Sequence, residues 1–547
     1  MDKAYNHKDV EDKLYKKWEE SGYFKPEVNP DGEPYTIILP PPNASGKMHT
    51  GNVLMIAIED LLIRWKRMQG YAALWLPGTD HAGFETQTTF ERELKKQGKS
   101  RFDYSREELY KEISQFVQDN KHTIEAQIRQ MGASVDWSRY VFTLDTHSIE
   151  TVYDTFEKMY QEGLILRKDY LVNFCPKCGT TFADLEIDYI ERKDPLYYIK
   201  YGPFTLATVR PETKFGDTAI AVNPKDIRYT KYVGQEIEAE DLLGPIRLKV
   251  IADNFVDPEF GTGVVKVTPA HDKNDFEAGL RHNLEIKSVI NLEGKLTEKT
   301  GPYKGLSVKK AREIVVADLQ KRGLIEKIDE NYTHSVAVCY KAGHDIEPMV
   351  FPNWFVKVES LKKPALQAVL DGKIKIYPQW REITYTQWME QMRDWPISRQ
   401  TVWGIQFPVW YNTETQAEKL LVKFLNKNKE IITGNMDNLL KEYSFEEIET
   451  GLQKLIALES AEPTIGREKP EGMYLRETDT FDTWFSSGQW PLITLGYPES
   501  SDFKKFYPTD VMETGWEIIR LWVSRMIMLG IYLTGEIPFK DVYLHGL

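Results

Sequence analysis

A histidine at the mouth of a helix can bind phosphate without gaining or losing a proton, and His49 is placed for that chemistry. The apolar run Tyr35-Thr-Ile-Ile-Leu39 reads as a strand. It breaks at Pro40-Pro41-Pro42 and passes through Asn43-Ala-Ser-Gly46 into a helical pattern from about His49 to Met68. The first N–H groups of a helix lack partners, and its dipole is positive at that end, so an anion is stabilised there. Gly51 lets backbone approach closely, and His49 could donate to a phosphate as its negative charge grows. An ordinary polar residue at a helix start is the competing reading of His49. No G-x-x-x-x-G-K-[ST] run is present, so this is not a Walker loop. A second strand-like run, Ala72 to Leu76, leads into another polar loop, Pro77-Gly-Thr-Asp80-His-Ala-Gly83. Further on, Cys175-Pro-Lys-Cys178-Gly179 has zinc-knuckle spacing. A redox pair is the rival, but a strand-to-helix setting is missing around it. Cys339 is the third and last cysteine.

These residues need a scaffold. Strand, loop, helix, strand, loop, helix is the order of a parallel α/β unit. Helical periodicity is also expected at 9–21, 105–131 and 147–162. From about 195 to 295 the chain reads as short strands with Gly, Pro and Asp turns: Leu196 to Lys200, Thr205 to Val209, Arg247 to Ile251 and Gly263 to Val267. Helical patterns return at 307–322, strands and helices alternate from 380, and 415–460 is expected to be helix-rich. The simplest architecture is one α/β domain interrupted by an inserted β-rich domain. The 547 residues have ordinary soluble composition, with 41% apolar and 28% charged residues. A net charge of −13 excludes a histone-like polyanion binder, though a local basic groove stays open. Three cysteines exclude a disulfide scaffold and point to a reducing, cytoplasmic setting. The start, MDKAYNHKDVEDKLYKKWEE, has no apolar core segment of a signal peptide. The longest apolar stretch, Ile518 to Leu533, is interrupted by Arg520 and Arg525 and is expected to be a buried helix, not a membrane span.

Pro40-Pro-Pro-Asn-Ala-Ser-Gly-Lys-Met-His-Thr-Gly-Asn52 resembles the signature loop of class I aminoacyl-tRNA synthetases. Gly78-Thr-Asp-His-Ala-Gly83 is similar to the second signature of their valine, isoleucine and leucine group. Trp395-Pro-Ile-Ser-Arg-Gln400, Trp403-Gly404, Asp482-Thr-Trp-Phe-Ser-Ser487 and Thr514-Gly-Trp-Glu-Ile-Ile519 are further matches, in family order. The stretch Gly261 to Asp275, with Lys266 two residues before Thr268, resembles the valine-specific branch. The resemblance implies a Rossmann-like catalytic domain that joins valine to ATP, with Mg2+, and passes it to tRNA(Val). It implies catalytic roles for His49 and Asn52, and ATP contacts from Asn43, Gly46, His49, Gly51, Asn52, Gly515 and Glu517. Asp80 would hold the valine ammonium, and Pro41, Pro42, Trp403 and Trp484 would wall the side-chain pocket. A monomer is expected. The alternatives are an isoleucine-specific enzyme of the same build and a free-standing tRNA deacylase.

A hydrophobic pocket rejects threonine in favour of valine only about a hundredfold, a worked case for this very enzyme group. A second, polar, hydrolytic pocket is the remedy, and the inserted module is expected to be it. By resemblance its site is lined by Arg210, Thr213, Lys266, Thr268, Asp272 and Asp275. Asp275 would hold the ammonium, and Asp272 with Lys266 and Thr268 would read the hydroxyl. Two departures stand out. Asn52 replaces a usual second histidine, and the K-M-S-K-S signature is absent, as is the anticodon-binding domain expected after it. The expectation is an N-terminal portion, weak in activation. Relatives often carry a second C-x2-C near Cys339; here its second position is Ala342, so His344 is the expected fourth zinc ligand, with His334 the lesser candidate. The domain boundaries read from sequence are 1–34, a helical segment; 35–185, the first catalytic half; 186–338, the insertion; and 339–547, the return and second half.

Overall fold

The computed structural model describes residues 5–340 and 342–546. The chain divides into two compact units: Met1–Arg167 with Trp354–Leu547, and Lys168–Asn353.

The first unit is built on a five-stranded sheet. Its strands are β1 (Pro34–Ile38), β2 (Ala72–Leu76), β3 (Lys375–Tyr377), β4 (Thr509–Gly515) and β5 (Phe539–His545), in spatial order β3-β5-β4-β1-β2. Every neighbouring pair is parallel. Parallel strands are covered on both faces and so read as continuous apolar runs, which is why Ala72-Ala-Leu-Trp-Leu76 is buried throughout. Adjacent β1 and β4 come from opposite ends of the chain, and such a reversal of strand order leaves a crevice beyond the carboxyl ends. Helix α1 (Thr50–Met68) buries Met55, Ile56, Glu59 and Ile63, one face at three- and four-residue spacing. Lys66 and Arg67 in its last turn complement the dipole. The α/β class expected from the sequence is what the sheet shows.

The second unit is strand-rich. It holds a four-stranded sheet around Ala219–Val222 and a three-stranded one in which Ile325–Cys339 pairs antiparallel with Ile187–Tyr201. Helices Lys273–His282 and Val308–Lys321 pack with them. The unit is wider than 186–338, because the hairpin that pairs Asn173–Cys175 with Thr180–Phe182 belongs to it.

One element differs from expectation. Residues 415–460 are not helix-rich: Leu420–Leu425, Ile431–Asn435 and Leu452–Ala457 form an antiparallel sheet, with only short helices at Met436–Leu439 and Phe445–Gly451. Leu420, Val422 and Phe424 are fully buried while Leu421 is exposed, a period of two that the surrounding lysines and glutamates mask in the sequence. Among the described residues no helix is long and apolar enough to cross a membrane.

Candidate active sites and a metal centre

Beyond the carboxyl ends of β1 and β2, the two loops that follow them are stitched together. Asp80 N donates to Pro42 O (3.0 Å), and Ala44 N donates to Asp80 O (2.8 Å). His49 is the N-cap of α1: its Nδ1 accepts from Gly51 N at 3.1 Å, and among the described residues its Nε2 has no hydrogen-bond partner. Asn52 completes the cap, its Oδ1 accepting from His49 N at 3.1 Å. The departure at Asn52 thus has a structural use, and its side-chain amide remains a donor. His49 is exposed, Asn52 half-buried and Gly51 buried. Asn43 donates to Glu85 at 3.0 Å. Gly46 has open space where a side chain would point, so nothing steric demands glycine there.

Asp80 is only 5% exposed. Its Oδ1 accepts from Ala82 N (2.9 Å) and Thr143 Oγ1 (3.2 Å), and its Oδ2 accepts from Ser487 Oγ (2.6 Å). Ala82 turns through a left-handed conformation, φ 48°, so that its N–H meets that carboxylate. Trp403 is buried and donates through Nε1 to His81 O at 2.8 Å. Burial lowers the His81 imidazole from its ordinary range, which keeps it neutral beside Asp80. Pro42 is buried, and Pro41 and Trp484 are half-buried. At the end of β4, Gly515 is buried, and a β-carbon there would collide with the carboxylate of exposed Glu517.

In the second unit the expected residues also meet. Lys266 Nζ donates to Thr213 Oγ1 (3.0 Å), to Asp217 Oδ1 (3.0 Å) and to Thr268 Oγ1. An ammonium has three protons, so Lys266 is saturated. Thr268 Oγ1 donates to Asp217 Oδ1 at 2.6 Å, and Tyr201 donates to Asp217 Oδ2 at 2.6 Å. Asp217 therefore holds the cluster together, though nothing in its sequence setting had singled it out. Asp272 caps the helix Lys273–His282, and Asp275 Oδ2 accepts from Thr268 N at 2.8 Å. Burial, then the nearby Asp272, push the Asp275 carboxyl up to about 8. Arg210 is tied to Glu212 and Glu347, and Arg312 to Glu212 from the other side.

Cys175, Cys178, Cys339 and His344 bring one ligand atom each within 4.8 Å of one another. Cys178 Sγ lies 3.9 Å from Cys339 Sγ and 3.4 Å from His344 Nδ1, and Cys175 Sγ lies 3.8 Å from His344 Nδ1. Metal–sulfur bonds of about 2.3 Å in a tetrahedron put the sulfurs about 3.8 Å apart, so the spacing fits one four-coordinate ion. Hydrogen bonds from the other two thiols hold Cys339 far below its ordinary range, and hydrogen bonds with Cys175 and Cys339, then burial, push Cys178 well above it. His334 is elsewhere, its Nε2 2.8 Å from Asp194. Ala342 contributes no ligand.

Residues 13–547 match the family described as tRNA synthetases class I (I, L, M and V). The chain belongs to that family. Similar class I synthetases include a valine–tRNA ligase of Dehalococcoides mccartyi, 44% identical over 100% of this chain and 58% of its own. Another, from Clostridium acetobutylicum, is 41% identical with the same coverage. The chain thus spans 58% of the length of these curated relatives. Among solved structures, the LeuRS–tRNA–LeuAMS ternary complex of Agrobacterium radiobacter has TM-score 0.48 at 17% identity, covering 100% of this chain and 68% of that one. Methionyl-tRNA synthetase of Mycobacterium tuberculosis bound by methionyl-adenylate has TM-score 0.45 at 12% identity, over 94% and 57%. Sequence reasoning for this synthetase chain missed Thr143, Ser487, Asp217 and Tyr201. Ser487 lay at the end of a recognised motif, whereas Thr143 and Tyr201 carry no local signal.

Proposed function

We propose that this chain carries the activating and hydrolytic parts of a valine-specific tRNA synthetase, with valine, magnesium-ATP and tRNA(Val) as its substrates. The observation that carries this reading is Asp80: a buried, hydrogen-bonded carboxylate at the rim that also holds His49 and Gly515. In activation the valine carboxylate attacks the α-phosphorus of ATP, the bond to the pyrophosphate oxygen breaks, and valyl-adenylate forms. No proton need be taken by the protein, so its work is positioning and charge stabilisation. Asp80 would hold the ammonium, and Pro41, Pro42, Trp403 and Trp484 would enclose the isopropyl group. The open Nε2 of His49, the amide of Asn52 and the first N–H groups of α1 would receive phosphate oxygens. Asn43 and Gly46 line the same loop, and Gly515 with Glu517 would flank the adenosine.

In the second unit, water would attack the ester carbonyl of threonyl-tRNA(Val), and the ribose oxygen would leave with a proton. Saturated Lys266 supports a role as the anchor that fixes Thr213, Thr268 and Asp217. The free carboxylate oxygens of Asp275 and Asp272 would then receive the ammonium and the threonine hydroxyl, with Arg210 toward the tRNA end. The three thiols and His344 would hold zinc, a structural ion in a closed four-ligand site.

Hydrolysis of threonyl-tRNA(Val), beside valyl- and isoleucyl-tRNA controls, tests the hydrolytic half. Selective loss of the threonyl ester, abolished in the Lys266→Ala, Asp275→Ala double variant, supports it. Equal rates for the three esters would defeat the specificity. For the activating half, calorimetric titration should show valine binding more tightly when magnesium-ATP is present, and neither ligand binding at all would defeat it.

A further inference from the structure

β4 and β5 end side by side at the carboxyl rim, with Gly515 in register with His545. Two residues back from Gly515, Glu513 points toward α1 and bonds His545, Oε1 to Nδ1 at 2.5 Å. His545 is 9% exposed, and among the described residues its Nε2 has no hydrogen-bond partner. Beneath the pair, Glu59 from α1 is fully buried and accepts from Trp75 Nε1 at 2.6 Å. Among the described residues, one oxygen of Glu59 and one of Glu513 are buried without a partner. A nearly buried imidazole with one nitrogen committed and the other free, on the rim where such sheets bind ligands, is a means of presenting one chosen hydrogen-bonding group.

We propose that Glu513 sets the proton state in which His545 meets the nucleotide at this rim: Nε2 is a donor while the pair holds two protons and a bare acceptor once it holds one. This rests on reading the rim as the ATP site. The proton count is simple. The Oε1–Nδ1 bond keeps one proton; a second on Nε2 makes an imidazolium–carboxylate pair, and losing it to water leaves Nε2 with a lone pair. A donor Nε2 favours an anionic nucleotide, and an acceptor does not. Burial raises the Glu513 carboxyl to about 7, into the range where imidazoles switch, so the two groups compete for the same proton. Burial, and then the Glu513 charge, hold Glu59 well above its usual range.

The surrounding charges are few. Glu59 faces Glu513 from α1, and His545 faces it from β5. Tyr35 on β1 feels Asp510, Asp541 and Glu59, and Lys66 lies over its ring. Asp510 is paired with Lys540, while Asp541 lies near Lys375 and Lys540. The Glu517 carboxylate lies over Gly515.

The test uses the full chain. Nitrogen-detected NMR follows its imidazoles from about pH 5.5 to about pH 8.5, the range in which histidine switches. The His545 signal is the one lost in His545→Gln. Nε2 should lose its proton within that range as read in the spectra, and magnesium-ATP should bind about tenfold more weakly above the midpoint than below it. In Glu513→Gln the buried imidazolium lacks its counter-charge, so both changes should move to lower pH by about one unit or more. His545→Gln should remove the pH dependence of binding altogether, and it serves if Glu513→Gln does not fold. An unchanged Nε2 across the range, or the same midpoint in Glu513→Gln, overturns the proposal. So does pH-independent ATP binding while Nε2 titrates. A chain that binds no magnesium-ATP at any pH overturns the ATP-site reading instead, and the Nε2 titration still decides the proton coupling.

Discussion

A carboxylate that already accepts three hydrogen bonds has room for one ammonium and little more. Asp80 is such a group, with Ala82, Thr143 and Ser487 as its donors. Asp80→Asn keeps the shape and removes the charge. It should weaken valine binding about ten- to a hundredfold, the worth of a hydrogen bond to a charged partner, as read by calorimetry. Ser487→Ala should cost about tenfold or less by the same measurement, since it removes only a neutral donor. Asp275 gives a pH signature. Its carboxyl is raised to about 8, so it holds an ammonium well only once ionised, and ester hydrolysis should climb with pH through about 8. The stability sign runs the other way. Between the ordinary aspartate range and about 8 the folded state binds the extra proton, so stability falls as pH rises across that window. Asp275→Asn should therefore raise the melting temperature more at pH 8.5 than at pH 5.5, and equal shifts at both would show that Asp275 titrates normally. Asp80, His49, Lys266 and Asp275 were legible in the sequence because motifs carry them. Thr143 and Tyr201 were not, because they reach their sites through tertiary packing from segments with no chemical signature.

At the level of elements, α1 depends on its cap. His49 and Asn52 satisfy N–H groups at its first turn by reciprocal bonds. Asn52→Ala should lower stability by about 1 kcal/mol in thermal unfolding and weaken phosphate binding together with it. Stability unchanged within error would mean that water replaces the cap at no cost. The parallel strands were readable because each is an apolar run that ends in a polar loop. The sheet at 420–457 was not. Its alternation is short, and lysine and glutamate, good helix formers, crowd the turns between strands. The helix Lys273–His282 shows a further limit of sequence reading: Asp272, the expected hydroxyl reader, is also its N-cap through Oδ1, and its other oxygen has no partner among the described residues.

For the whole molecule, the division into two units follows the chemistry. The first unit's parallel sheet ends in the loops that carry Asp80 and His49, and the second unit gathers its charges around Asp217. Purified protein should contain about one zinc per chain, and strong chelation should lower the melting temperature by several degrees. Less than about 0.2 zinc per chain would remove the metal from the account. The donors lie far apart in the chain: Cys178 and Cys339 are separated by 161 positions. A bound ion would therefore act as a cross-link. A protease cut anywhere between the two ligand pairs would break the chain in two and leave the pieces bridged through the ion. The two pieces would travel as one species, held both by the ion and by the five-stranded sheet that residues from either side of the cut build together, and a chelator would loosen only the first of these ties.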